Sequence, residues 1–391
     1  MKLGNIATGD DFFDRIRIRE EIWHSLEKNH LILRGVRRLG KSSILKKIEE
    51  EAEQKGFLVL NEDVGGAVNA EQFIQLLTNA LPEKKIQTFL NSLTNGLKKI
   101  SQVKLTMEDI SIEISLHDIG GYHWYSAAKK LQKRLTEYPI IIQIDEFSVF
   151  LEKLIEQDKA EADALLSWLR SWRQTDTACR FIFTGSIGVT YLLAKHQLDT
   201  RLNDCHEIVV KDFSHKEACK MIKIQTQRLE WEISTVSIEY LCKKVGWLSP
   251  YYLNLLLKES HSAAIDREDE LELTEQQIKN NDIDAGYESL LILQSRFIHW
   301  INRLSKSLEG GDFDFCKDIL SAIANTSEGL TLLQLSNRLA KRQPDPDKRQ
   351  EKIRELLNKL EDEGYLTPAN SKGRFNFLSF LLRDYWKRHY V

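Results

Sequence analysis

Gly35-Val36-Arg37-Arg38-Leu39-Gly40-Lys41-Ser42-Ser43 fits the pattern GxxxxGK[ST], and its residue types point to one chemistry, the binding of a nucleoside triphosphate. Two glycines let the backbone curl so that successive N–H groups face phosphate oxygens. Lys41 then reaches the β and γ phosphates, and the Ser42 hydroxyl binds Mg²⁺. A helix opening near Lys41 adds its positive end to the same anion site. A second motif, Ile140-Ile141-Ile142-Gln143-Ile144-Asp145-Glu146-Phe147, ends a nearly continuous apolar run in two carboxylates. Such a run is what a strand buried on both faces of a parallel sheet requires. With a phosphate loop upstream, Asp145 is the Mg²⁺ ligand that completes the shell begun by Ser42. Glu146 stands as general base for the attacking water. Met by itself, Ile144-Asp145-Glu146 reads as an acidic turn at a strand end; the upstream loop reverses that balance.

The chain has 391 residues, 42% of them hydrophobic and 29% charged, which is room for two or three globular domains. A net charge of -3 gives no global preference for nucleic acid or membrane, so any such contact has to come from a local patch. The five cysteines, Cys179, Cys205, Cys219, Cys242 and Cys316, are scattered and lack CxxC spacing. They read as reduced, mostly buried thiols, and neither a disulfide framework nor a structural zinc is expected. Met1 to Asp14 lacks the basic flank and apolar core of a signal peptide, and no apolar run approaches a membrane span. A cytoplasmic protein without membrane contact is expected.

The elements that must position these residues are legible in the periodicity. Ile18, Ile22 and Leu26 make a helical stripe, and Leu31-Ile32-Leu33 is the apolar run ahead of the phosphate loop. Ser42 to Gln54 reads as a helix with Ile44, Leu45 and Ile48 on one face, Phe57 to Leu60 as a buried strand, and Ala70 to Leu81 as another helix. Strand, loop, helix, strand is the unit of a parallel sheet with right-handed crossovers. The polar stretch from Ile86 to Ile119 holds a period-two run, Ile110 to Leu116, which predicts an exposed hairpin inserted into the fold. A helix through Leu165, Leu166, Trp168 and Leu169 leads to a third strand, Phe181 to Ser186. Ile208-Val209-Val210 follows, and Ser214 with Glu217 has capping-box spacing.

Phe12-Phe13-Asp14-Arg15, a short helix, an apolar strand and then Gly35-Val36-Arg37-Arg38-Leu39-Gly40-Lys41-Ser42-Ser43 resemble the archaeal-type branch of the AAA+ and STAND ATPases, which is also widespread in bacteria. The resemblance implies that Phe13, Asp14 and Arg15 lie near the adenine, and that Thr184 or Ser186 senses the γ-phosphate. Arg201, in a turn followed by a strand and a capped helix as in the family, is a candidate arginine finger acting in trans. Gly246-Trp247-Leu248-Ser249-Pro250-Tyr251 resembles the proline-bearing motif of STAND lids, with Leu248 where its GxP form carries glycine. Pro250 is then a lid residue near the adenine or ribose, or simply a helix-start proline.

Beyond a linking helix marked by Phe297, Trp300, Ile301 and Leu304, three helical patterns run from Phe315 to Ala324, Leu332 to Ala340 and Ile353 to Leu360. Gly364-Tyr365-Leu366 and Arg374-Phe375-Asn376-Phe377 then pair as a wing, and the Phe377 to Trp386 ending also resembles the family. Residues 344–364 hold five basic against seven acidic side chains, a poor footprint for a phosphate backbone. Lys372 and Arg374 in the wing, with Lys387 and Arg388 in the tail, remain as candidate DNA contacts.

The expected fold is therefore an α/β P-loop NTPase of AAA+/STAND type: a parallel sheet with helices on both faces, then a helical lid and a winged helix. Its expected parts are a core over 1–212 with the hairpin near 86–119, a lid over 213–284, and a linker helix with winged helix over 285–391. The expected function is a nucleotide-binding switch that binds ATP and Mg²⁺ and hydrolyses ATP slowly. Its nucleotide state would control self-assembly or a partner protein, in a stress or antiphage setting. The alternative is an ATP-dependent DNA-binding protein in which the winged helix is the reader.

Overall fold

A computed structural model describes residues 6–81, 124–136, 138–175, 178–185, 189–292, 297–306, 308 and 311–391. The expected hairpin near 86–119 and Ser186 lie outside the described residues. The chain divides into two compact units. One comprises Arg15–Arg34 and Lys41–Val209; the other comprises Met1–Asp14, Gly35–Gly40 and Val210–Val391.

The first unit is built on five parallel strands, β1 (His30–Arg34), β2 (Leu58–Asp63), β3 (Ile140–Asp145), β4 (Arg180–Gly185) and β5 (Cys205–Val209). Their order across the sheet is β2-β3-β4-β1-β5. Every residue of β3 is buried, as its isoleucine run demands of a central strand covered on both faces. Alternation along each strand then divides the side chains between two cores. Ile32, Leu60, Ile142, Ile144, Phe181 and Phe183 share one of them. They pack there with residues of α3 (Ala70–Asn79), α4 (Trp124–Thr136), α5 (Phe147–Gln157) and α6 (Lys159–Arg173). Phe181 and Phe183 stack with ring centroids 5.6 Å apart, and Trp172 meets Phe181 edge-on at 5.0 Å. On the opposite face Gln143, fully buried, donates from Nε2 to the Leu45 carbonyl at 3.1 Å, tying β3 to α2 (Lys41–Ala52). The helix expected through residues 165–169 is α6, and α5 precedes it. Asp158 separates the two, its carboxylate accepting from the Ala160 and Glu161 amides as an N-cap.

The second unit contains α8 (His215–Arg228), α9 (Thr235–Val245), α10 (Pro250–Glu270) and α11 (Asn280–Ile292); α1 (Ile16–Leu26) and α7 (Val189–Lys195) belong to the first. Ser214 and Glu217 form the expected capping box on α8. After α12 (Ile298–Lys306) come α13 (Asp312–Ala324), α14 (Leu332–Arg338), α15 (Pro346–Asp362) and α16 (Phe380–Tyr390). The strand pairing differs from the expected hairpin in one respect. Leu366 bridges Phe377 antiparallel as expected, but Arg374–Phe375 pairs with Leu330–Thr331, the segment that enters α14. Gly329, at φ +75°, allows this approach: a Cβ there would stand 2.2 Å from the Phe375 carbonyl oxygen. No helix among the described residues is long and apolar enough to cross a membrane.

His30 at the start of β1 gives the first unit a pH dependence. Its Nδ1 accepts from the Phe181 amide at 3.2 Å and its other nitrogen lies 3.1 Å from the Arg173 carbonyl, an arrangement only the neutral ring satisfies with one proton. Burial lowers its pKa from 6.5 to about 4, with the Arg173 and Arg180 charges acting in the same direction. The unfolded chain therefore binds the proton more readily, and stability present above pH 6.5 is lost as pH falls towards about 4. The expected loss from this group is about 3 kcal/mol. Urea melts of the wild type and His30→Gln at pH 7 and pH 4.5 measure it; equal pH slopes in the two proteins would contradict it.

Candidate functional site

In the first unit, the carboxyl ends of β3 and β4 are joined by a side-chain and backbone knot. The Thr184 hydroxyl donates to Asp145 Oδ1 at 2.5 Å. The Glu146 amide donates to both Asp145 Oδ1, at 3.0 Å, and Thr184 Oγ1, at 2.9 Å. Thr184 is 1% exposed and Asp145 8%, so one oxygen of the aspartate is fixed inside the protein. Glu146 leaves the strand at φ +54°, ψ +29° and precedes α5. A non-glycine residue in the left-handed region costs about 1–2 kcal/mol, and such strain tends to persist where surrounding bonds enforce a special side-chain placement.

Gln143 and Leu45 relate this end of β3 to α2. Moving two residues along the strand reaches Asp145, and moving three residues back along the helix reaches Ser42. Because α2 runs back against the strands, these steps climb about 7 Å and about 4.5 Å towards the same end. Lys41, Ser42 and Ser43 form the first turn of α2, the positively polarised end of the helix.

Residues 63–67 belong to this cluster although the sequence reading assigned them no role. Asp63 stands beside Asp145 in the β2–β3 register, the Val64 amide donates to the Asp145 carbonyl at 3.1 Å, and Lys153 Nζ donates to the Gly65 carbonyl at 2.6 Å. A Cβ on Gly65 would stand 3.0 Å from Cβ of Glu146. The pair Gly65-Gly66 was the available signal.

Arg201 lies in a short 3-10 turn, Asp199–Arg201. Its guanidinium pairs with both oxygens of Asp163, at 2.7 and 3.2 Å, and its carbonyl accepts from Arg173 at 2.6 Å. Arg15 is buried at φ +62° ahead of α1.

In the second unit, residues 35–40 of the phosphate loop are held from three directions. A Cβ on Gly35 would stand 2.7 Å from the Val210 carbonyl oxygen, and Gly40 sits at φ +89°, so both positions need glycine. Leu39 is buried. The Arg38 carbonyl accepts from the Ser249 hydroxyl at 2.7 Å, and the Arg38 guanidinium lies 4.3 Å from the centroid of the Tyr251 ring. Pro250 occupies the first turn of α10 between these two residues. Gly364 approaches Val36 so closely that a Cβ there would stand 2.4 Å from its Cγ1. Arg37 is half-buried. Phe13 meets Phe213 edge-on at 5.8 Å, and Lys220 Nζ lies 3.8 Å from Asp14 and 5.5 Å from the Phe13 ring. Ser249, Tyr251 and Gly364 were not legible as loop contacts in the sequence.

The donor set fits a triphosphate with a hard dication. Asp145 offers carboxylate oxygen, Ser42 a hydroxyl and Lys41 a point charge, all three within the first unit.

Neither a protein-family model nor a curated protein sequence matches the chain. Solved structures do. A Walker-type ATPase of Pyrococcus abyssi superposes with a TM-score of 0.67 at 17% identity, over 99% of each chain. The ORC2 protein of Aeropyrum pernix, solved in ADPNP-ADP complexes, superposes with a TM-score of 0.51 at 12% identity, over 97% of each chain. The chain has the P-loop ATPase fold. In that fold the parallel strands present Asp145, Glu146 and Thr184 at their carboxyl ends, where open α/β sheets bind ligands.

Thr184→Val, which keeps the shape and removes the hydroxyl, is expected to cost about 1–3 kcal/mol. Urea unfolding should show a lower midpoint with an unchanged slope; an unchanged midpoint would mean that the hydroxyl holds nothing.

Proposed function

We propose that the protein is an ATP-binding, ATP-hydrolysing molecular switch whose nucleotide state is read by its lid and C-terminal helices. The observation that carries the switch is the three-way hold on the phosphate loop by Ser249, Tyr251 and Gly364. A change in the loop's conformation on nucleotide binding has to be transmitted to α10 and to the turn after α15.

In this reading Gly35, Arg37, Arg38, Leu39, Gly40, Lys41, Ser42 and Ser43 hold the phosphates, and Phe13, Asp14, Arg15 and Pro250 surround the base and ribose. Ser42 and Asp145 hold Mg²⁺, which when bound offsets charge on the phosphates. Glu146 takes a proton from the attacking water. Thr184 fixes the carboxylate beside it, with Thr184 or Ser186 reporting on the γ-phosphate. Arg201 serves in trans only by exchanging Asp163 for a neighbouring copy's phosphate. The ADPNP-ADP complexes of the Aeropyrum ORC2 protein support adenine nucleotide as the ligand.

The C-terminal helices and paired strands support a winged helix, in which a switch role is favoured over DNA reading. Arg349 on α15 is buried and bonded to the Ser336 hydroxyl and to the carbonyls of Gln343 and Pro344. Lys352 is paired with Asp312 and Glu355, and Arg374 with Glu328. Three basic side chains that a reader would present to phosphate are engaged within the protein. The output is then self-assembly or a partner protein in the cytoplasm, with stress or antiphage defence as the setting.

Mg-dependent ATP turnover should fall by at least about 100-fold in Lys41→Ala and in Glu146→Gln. Unchanged rates in both would remove these residues from catalysis. Filter binding of duplex DNA with ATP at two salt concentrations is expected to show no salt-sensitive retention; retention that falls with salt would favour the DNA reader. For the switch, Gly364→Ala should change the apparent ATP affinity. Gly373→Ala, also at positive φ but with open space around it, should not. Equal effects of the two would contradict coupling through the loop.

A further inference from the structure

Three side chains that are unremarkable in sequence converge in the helical part of the second unit. His215 opens α8, Cys219 lies one turn further on the same face, and Cys242 sits in the last turn of α9. Their ligating atoms all lie within 4.8 Å of one another. The spacing of one pair can be compared with a metal site. Bonds of about 2.3 Å to sulfur and about 2.05 Å to nitrogen, opened at a tetrahedral angle, place the two ligand atoms about 3.6 Å apart. Cys219 Sγ stands 3.6 Å from His215 Nδ1.

The second ring nitrogen lies slightly further from the same sulfur, at 3.9 Å, and also faces a carboxylate. His215 Nε2 lies 3.4 Å from Glu239 Oε2, one turn before Cys242 on α9. A carboxylate on the far nitrogen is how metal-binding imidazoles are oriented and their near nitrogen left as acceptor. His215, Glu239 and Cys242 also line a surface cleft of about 490 Å³. That leaves a solvent-facing approach for a fourth ligand.

We infer that His215 Nδ1, Cys219 Sγ and Cys242 Sγ form a binding site for a soft divalent cation of the Zn²⁺ class, with Glu239 orienting the imidazole and water in the fourth position. Two thiolates and one imidazole select Zn²⁺ over the Mg²⁺ that suits the all-oxygen set of the nucleotide site. Burial raises the Cys219 thiol and pushes Cys242 up to about 12, so without a cation the thiols stay protonated and binding displaces their protons. The site would clamp the start of α8 to the end of α9. The next residues after α9 lead directly to Ser249, whose hydroxyl holds the phosphate loop.

The test is Zn²⁺ titration of the tag-free full-length protein, kept reduced with a phosphine, against a chromogenic chelator, with Co²⁺ absorption as a second readout. One Zn²⁺ per chain is expected, and thiolate charge-transfer bands with Co²⁺. Cys219→Ser and Cys242→Ser should each weaken binding more than about 100-fold and diminish those bands, beyond what outer-sphere changes cost; Glu239→Gln should weaken it about 10–100-fold. Cys205→Ser and Lys41→Ala should bind as the wild type does. No bound Zn²⁺, a Co²⁺ spectrum without thiolate bands, or a bound equivalent that survives both cysteine substitutions would overturn the assignment.

Discussion

The hydroxyl of Thr184 sets where the acidic end of β3 can be. It donates to Asp145 and accepts from the Glu146 amide, so one buried group fixes a carboxylate, turns the next residue into the left-handed region and joins two neighbouring strands. The exit of β2 depends on the same point, through the Val64 amide on the Asp145 carbonyl and the close approach of Gly65 to Glu146. None of these contacts is strong in isolation; a net hydrogen bond is worth about 1 kcal/mol. Their effect is geometric. With Asp145 buried and one of its oxygens occupied, the carboxylate has little freedom, which is the condition for a preorganised cation ligand.

The second constraint lies in the phosphate loop. A switch needs an element with two arrangements and contacts that distinguish them. The loop carries suitable contacts: a hydroxyl on a carbonyl, a guanidinium on an aromatic face, and a glycine pressed against Val36. Two of them come from the start of α10 and one from the turn after α15, so under the proposed switch a shift of Arg38 or Val36 would be felt at both.

Much of this was legible in the sequence where the cause is local. The phosphate loop, the isoleucine strand with its two carboxylates, and the capping box at Ser214 follow from residue type and spacing alone. The illegible parts are those set by distant partners. Nothing near Ser249 indicates that its hydroxyl reaches Arg38, 211 positions away. The three-strand corner at Leu330, Arg374 and Leu366 was read as a simple hairpin because two-residue strands carry almost no periodicity. His215, Cys219 and Cys242 violate the spacing rules for metal sites, since helix packing and not a loop brings Cys242 to the other two.

The central claim is that the loop of residues 35–43 binds ATP. Calorimetric titration of the full-length protein with ATP and Mg²⁺, using Glu146→Gln to suppress turnover, tests it most directly. One ATP per chain is the predicted result, with binding lost in the Lys41→Ala, Glu146→Gln double variant. No binding, or equal binding with and without Lys41, would contradict the account.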